Sequence, residues 1–193
     1  MKTHKVIIVE DHMLLSQAIA GLVNSFDNFE VPYLCKNGKE LLTQLKNSND
    51  IPEIVLMDVN MPILNGIETT EIIKKEYPQI NVIALSVEGN DETIIKMLKA
   101  GAKGYLLKDV EKEVLETALQ EVLETGYYHT KSVANILMNS LNDDGASESK
   151  LKEREIEFIK LVCSELTYKE IAEKMFLSPK TIDGYRDLSL IHI

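Results

Sequence analysis

Along the first 124 residues, short β-branched runs alternate with longer stretches whose apolar residues recur at helical spacing. That is the pattern of a parallel α/β sheet. The predicted strands are Lys5–Val9, Phe29–Leu34, Glu53–Met57, Asn81–Ser86 and Lys103–Leu107. The first, third and fourth are almost wholly apolar, as expected where helices cover both faces of a sheet. The second carries Pro32, which has no N–H to donate to a ladder and belongs at an edge. Between the strands, Leu14, Leu15, Ala18, Ile19, Leu22 and Val23 read as one core-facing stripe, and Val114, Leu115, Ala118, Leu119, Val122 and Leu123 as another. Asn37 with Glu40, and Asn65 with Glu68, mark helix starts: a capping amide followed three residues later by a carboxylate that can reach back to a freed N–H. A doubly wound five-stranded parallel sheet of order 2-1-3-4-5, with right-handed crossovers, satisfies all of this.

The apolar pattern thins from Thr125 to Lys150, through Asn142-Asp-Asp-Gly-Ala-Ser-Glu148, and reads as a linker with a short helix near Val133–Leu141. Three closely spaced helical signals follow. The first spans Leu151–Ser164 with Ile156, Ile159 and Val162 in phase; the second starts at Thr167, with Glu170 completing a capping box. The third starts at Ser178, with Pro179 in its first position. Two helices across a tight turn, Thr167–Met175 and Pro179 onward, form a helix-turn-helix candidate.

With 193 residues, 45% hydrophobic and 27% charged, the chain has material for one full domain and a smaller one. No run reaches the roughly 18 apolar residues of a membrane helix, and Glu10 and Asp11 interrupt the first hydrophobic stretch too early for a signal peptide, so a cytoplasmic location is expected. Cys35 and Cys163 lie far apart without metal-ligand spacing, which argues against a zinc site or a disulfide framework. The net charge of -10 is uneven: from Lys150 onward eight basic residues match eight acidic ones, so the whole excess belongs to residues 1–149. Two modules with different partners are implied.

In an open parallel sheet, ligands gather at the carboxyl ends of strands where the strand order reverses, here between the first and third strands. Glu10 and Asp11 follow the first, Asp58 ends the third, Ser86 ends the fourth, and Tyr105 and Lys108 belong to the end of the fifth. Three carboxylates so close oppose one another's ionisation unless a cation neutralises them, and Mg2+ suits a few carboxylates with a carbonyl, water and a phosphoryl oxygen. Such a set can transfer a phosphoryl group to a carboxylate oxygen, with Asp58 as nucleophile and the metal and Lys108 holding the developing charge. Taken singly, an acidic residue at a strand end is an ordinary solvated charge; the joint arrangement is what points to chemistry. His12 follows the acid pair directly but reads as the start of the first helix, and is left without a role.

Glu10-Asp11, Asp58 within Leu56-Met-Asp-Val-Asn-Met-Pro62, Gly66, Ser86, Tyr105 and Lys108-Asp109 resemble the receiver domains of two-component response regulators, over roughly residues 4–124. The resemblance implies a CheY-like, flavodoxin-like fold and transfer of phosphate from a sensor histidine kinase to Asp58. It also implies Mg2+ held by Asp11, Asp58 and the backbone carbonyl of Asn60, with Glu10 acting through water. Ser86 and Tyr105 would form a switch pair, the hydroxyl moving to the phosphoryl group and the ring turning inward.

Further on, Leu151-Lys-Glu-Arg-Glu-Ile, Leu166-Thr-Tyr-Lys-Glu-Ile-Ala and Leu177-Ser-Pro-Lys-Thr-Ile resemble the LuxR-type helix-turn-helix of the NarL/FixJ regulators up to Arg186. The implied function is regulation of transcription, with Lys180, Thr181, Tyr185 and Arg186 contacting DNA from the helix that begins at Pro179. Asp183 departs from the family's commonly basic position there. The helix-turn-helix, residues 151–187, is expected to be incomplete, and Leu188–Ile193 resembles translated library adapter and is expected to be a non-native tail. On that reading the parent protein binds DNA while this chain binds weakly or not at all, and phosphorylation can bring a homodimer; no membrane partner is expected.

Three other readings compete. A metal-dependent phosphatase forming an aspartyl-phosphate would carry an acid two residues beyond Asp58, where Asn60 stands, so no enzymatic turnover of external substrates is expected. A dinucleotide-binding module would need a glycine fingerprint where Glu10-Asp11-His12 stands. A receiver whose only output is protein contact follows if the carboxyl-terminal domain is broken.

Overall fold

The computed structural model describes residues 3–48, 50–87 and 89–143, and beyond them Phe158, Leu161, residues 167–175, Leu177 and Thr181. The chain divides into two compact units, Met1–Tyr128 and His129–Ile193.

In the first unit the apolar runs form parallel strands. These are β1 (His4–Val9), β2 (Phe29–Glu30), β3 (Leu34–Cys35), β4 (Ile54–Asp58), β5 (Asn81–Ser86) and β6 (Gly104–Leu107). Between them run α1 (Met13–Val23), α2 (Gly38–Asn47), α3 (Gly66–Glu76), α4 (Asp91–Ala100) and α5 (Lys112–Thr125). The sheet order is β2-β1-β4-β5-β6, with β3 also paired to β1, which is the expected 2-1-3-4-5 arrangement. In place of one second strand there are two short pieces. β2 pairs with His4 and Lys5, β3 with Ile8 and Val9, and the gap between them spans Pro32. Pro32 has no N–H to give, and the Val31 N–H turns away to Asn24 Oδ1 at 2.8 Å.

β1 and β4 are buried along their apolar lengths, with Val6 to Val9 and Ile54 to Met57 at 0% exposure, because helices lie on both faces. One core cluster joins Val6, Ile8, Leu56, Ile83 and Leu106 to Leu115, Ala118, Leu119 and Val122 of α5, so the α5 stripe faces inward as expected. The α1 stripe does not hold as a whole. Leu14 is 84% exposed and Ala18 is exposed, while Ser16 and Val23 are buried and Ile19, Ala20 and Leu22 pack against the core. At 100° per residue Leu14 and Ala18 lie roughly opposite Ser16 and Val23, so a single helix cannot bury both groups.

The Asn caps form as read: Asn37 Oδ1 accepts from Glu40 N at 3.0 Å and Asn65 Oδ1 from Glu68 N at 2.9 Å. Glu40 reaches back one residue further than expected, its Oε2 accepting from Lys36 N at 2.8 Å. After α5, Gly126 takes the left-handed conformation (φ 86°) and Tyr128 pairs with Gly104 on the outer edge of β6.

In the second unit, α6 (Lys131–Asp143) is longer than the short helix expected, and Val133, Ala134 and Leu137 are buried. α7 (Tyr168–Lys174) starts at Thr167 with the reciprocal capping box expected of Thr167 and Glu170. Ile171, Ala172 and Met175 are buried. Thr181 is helical and exposed. The expected helix over Leu151–Ser164 is represented by Phe158 and Leu161 alone, both helical. The start at Ser178 and Pro179, the contacts assigned to Lys180, Tyr185 and Arg186, Asp183, and the tail Leu188–Ile193 lie outside the described residues. Among the described residues no helix is long and apolar enough to cross a membrane.

Candidate functional site

Parallel pairing brings the strand tips to one edge. Asp58, the last residue of β4, pairs with Leu85 of β5, and Ser86 pairs with Leu107 of β6. Past the strands the ladder continues for one step: Val59 N donates to Leu85 O at 3.2 Å, Lys108 N to Ser86 O at 2.8 Å, and Glu10 N to Cys35 O at 2.9 Å. The backbones of Glu10, Lys108 and, through Val59, Asp58 are thus tied to a neighbouring strand.

The result is a buried ion cluster. Lys108 Nζ lies 2.6 Å from Glu10 Oε2 and 3.0 Å from Asp58 Oδ1. Glu10 is 2% exposed, Asp58 4% and Ser86 2%. Burial pushes the Asp58 carboxyl above its ordinary value; the Lys108 hydrogen bond opposes this and the Glu10 charge adds to it. For Lys108 burial acts downward, but the two carboxylates outweigh it and its pKa is raised. The ammonium therefore keeps its charge in a place where a lone lysine would tend to lose it. Asn60 stays beside Asp58, its N–H 3.4 Å from Asp58 Oδ1. Tyr105 of β6, opposite Ala84, is 2% exposed, so its ring lies inward.

Asp11 sits at the rim with a different neighbour. His12 Nδ1 is 3.1 Å from Asp11 Oδ1 and 3.0 Å from Glu10 Oε1, which also accepts the His12 backbone N–H at 3.1 Å. One carboxylate oxygen each of Glu10 and Asp11 and a ring nitrogen of His12 lie within 4.8 Å of one another. The hydrogen bond to Glu10, then the charges of Asp11 and Glu10, raise the His12 pKa. Asp11 Oδ1 is buried, and its contact with His12 is an ion-pair contact.

Of the residues read from the sequence, Glu10, Asp58 and Lys108 are in direct contact, Ser86 and Asn60 are tied in through the backbone, and Asp11 stands beside Glu10 through His12. Sequence reasoning left His12 without a role, although its place directly after two carboxylates was the available signal. It also missed why Gly66 is glycine. A Cβ there would lie 2.2 Å from the backbone oxygen of Asp58, and Gly66 N donates to Val59 O at 3.0 Å, so α3 begins pressed against the backbone that carries the acid. Nor could it show that Ile63, in the loop between β4 and α3, takes φ 71° with its side chain 75% exposed.

A parallel sheet of this order, with an acid pocket and a lysine at its carboxyl edge, defines a receiver-type α/β domain. Residues 6–120 match the response regulator receiver domain family. The transcriptional regulatory protein MctR of Rhizobium johnstonii is 31% identical over 185 residues, spanning 94% of this chain and 83% of that protein. The chain therefore belongs to the two-component response regulators, in the branch of the NarL/LuxR type. Among solved structures, the LuxR-family response regulator from Aurantimonas sp. SI85-9A1 shares its fold at a TM-score of 0.66 and 21% identity, over 74% of this chain and all (100%) of that one. The response regulator RcsB, in a complex with DNA, does so at 0.64 and 22%, over 98% and 91%.

Proposed function

We propose that Asp58 accepts a phosphoryl group from the phosphohistidine of a sensor kinase and that the resulting charge controls transcription through the helix-turn-helix unit. An Asp58 carboxylate oxygen attacks phosphorus, the bond from phosphorus to the donor nitrogen breaks, and the electron pair leaves with the imidazole. The observation that carries this reading is the Lys108 ammonium seated between Glu10 and Asp58, where it can follow the charge as it moves from the carboxylate onto the phosphoryl oxygens. The Ser86 hydroxyl, at the tip of the neighbouring strand, takes one phosphoryl oxygen. The inward ring of Tyr105 supports a switch role for this pair, since it occupies the position that the receiver resemblance associates with the phosphorylated form.

The acid set fits Mg2+: its donors are hard oxygens, and Asp11 Oδ1 is a buried carboxylate oxygen whose near neighbour is the His12 ring nitrogen at 3.1 Å. Asp11, Asp58, the backbone carbonyl of Asn60 and, through water, Glu10 would hold the ion. When bound, Mg2+ would supply positive charge that neutralises the carboxylates and favours the incoming phosphoryl group. On the output side, α7 is the first helix of the helix-turn-helix, residues 151–187, and Lys180, Thr181, Tyr185 and Arg186, further along the sequence, contact DNA. The names of the relatives as transcriptional regulators, and the RcsB complex with DNA, support this assignment.

The test is uptake of hydroxylamine-labile phosphate from acetyl phosphate, with and without Mg2+. The wild-type chain should label only with the ion, and Asp58→Asn should not label at all. Undiminished uptake by that variant would overturn the assignment.

A further inference from the structure

We propose that His12 is a positioning residue that occupies, with its ring Nδ1–H, the carboxylate oxygens a divalent cation must take, so that it sets the affinity of the pocket for Mg2+. The inference rests on the reading of the acidic cluster as the cation site. It is carried by the way the described carboxylates are shared between two nitrogen donors. Lys108 Nζ bridges Glu10 and Asp58 from inside the pocket. His12 Nδ1 lies between Glu10 Oε1 and Asp11 Oδ1 from outside, at 3.0 and 3.1 Å, on a side chain that is 75% exposed. A donor 3.1 Å from Asp11 Oδ1 competes with a cation for that oxygen, and one ligand atom each from Glu10, Asp11 and His12 falls within 4.8 Å of the others.

The ring has room to leave. Its backbone N–H remains bonded to Glu10 Oε1 at 3.1 Å, so swinging the side chain outward costs the two ring contacts, to Glu10 and Asp11, and leaves the helix start in place. Oxygen-preferring Mg2+ has little use for the imidazole itself, which favours displacement over ligation. Each cation that binds through Asp11 must then replace the contact between His12 and Asp11 Oδ1, and the measured affinity is lowered by what that contact contributes in the cation-free chain.

The test is calorimetric titration of Mg2+ into the full chain at one fixed pH, for wild type, Asp11→Asn, His12→Ala and His12→Asn. Asp11→Asn should weaken binding. His12→Ala should bind about three- to tenfold more tightly than wild type, the range of an ordinary hydrogen bond, since the His12 side chain is 75% exposed. His12→Asn, whose amide N–H stands near the position of Nδ1, should remain within about twofold of wild type. Equal affinities for His12→Ala and wild type would overturn the inference while leaving the cation site intact. Weaker binding by His12→Ala would also overturn it, making the ring a ligand. Absence of Mg2+ binding by the wild type would remove the cation reading and this inference together.

Discussion

β1 carries charge at both ends, and the two ends are built differently. At its amino end Lys5 pairs with Asp50 and His4 Nδ1 lies 3.5 Å from Glu53 Oε1, on side chains between 26% and 62% exposed. At its carboxyl end Glu10 meets Asp58 through Lys108, and none of the three side chains exceeds 10% exposure. Exposed pairs contribute little because water and salt already stabilise each charge. Buried ones lose most of their hydration, and their mutual attraction does not reliably repay it. A fold selected for stability alone would fill the carboxyl end with apolar side chains. Its buried charges are better explained by the phosphoryl chemistry proposed for them.

The sharpest way to break this contrast is to remove the shared cation. Lys108→Met should lower stability at pH 7–8 by about 3 kcal/mol, since two buried carboxylates then face each other uncompensated. Denaturant unfolding should show the deficit shrinking on acidification, as protonation removes the repulsion. A deficit that stayed constant with pH would argue that lost packing, and not charge, is responsible.

Asp58→Asn should act in the opposite direction. Because burial, first of all, raises the Asp58 carboxyl above its ordinary value, the folded chain holds that proton more tightly than the unfolded one. The contribution to stability is complete below the ordinary carboxyl range, about pH 4, and is lost as pH rises through the higher folded value. Asn has no proton to lose. The variant should therefore gain on wild type from about pH 4 upward and be the more stable chain at neutral pH, by denaturant titration across that range. A wild type that gained on the variant with rising pH would mean that the Lys108 contact outweighs burial.

These charges were legible in the sequence because strand order and strand ends are written in the apolar runs: once the order 2-1-3-4-5 is fixed, Glu10, Asp58 and Lys108 have one edge to share. The helix faces were less legible. Leu14 and Ala18 fit a helical repeat with Leu15, Ile19 and Leu22, and the sequence does not say which side of a broad apolar stripe meets the sheet. The break between β2 and β3 has its signal in Pro32, but the partner that takes the Val31 N–H, Asn24, sits in the loop after α1 and comes into reach only through the fold. His12 is similar: adjacency to two carboxylates was visible, whereas the rotamer that turns its ring back onto them was not.

Backbone strain offers a gentler comparison of the two ends. Each has one described non-glycine residue with positive φ: Asn28 (φ 67°), whose carbonyl accepts the His4 N–H at the amino end, and Ile63 (φ 71°) beside the acid pocket. Asn tolerates that conformation, and a β-branched residue does not. Ile63→Asn should stabilise the chain by about 1 kcal/mol, and its exposed side chain loses no packing in exchange. A thermal melt that failed to rise would show that the loop relaxes out of this conformation at little cost.

The smallest effect expected is at Lys5. Its ammonium pairs with an Asp50 side chain that is 62% exposed, and the hydrogen bond it donates to Asp50 raises its pKa without enclosing it. The structural tie at that position is the backbone, Lys5 N donating to Glu53 Oε2 at 2.9 Å, and this survives any side-chain change. Lys5→Met should leave the unfolding midpoint within experimental error of wild type. The small difference that remains should vanish between about 0.05 and 0.5 M salt, as screening shortens the reach of exposed charges. Lys108→Met, with its carboxylates shielded from solvent, should keep most of its deficit over the same range. If both variants lost stability equally, and salt erased both losses alike, burial would not be what separates the two ends of β1, and the case for reading the carboxyl end as a reactive site would lose its energetic footing.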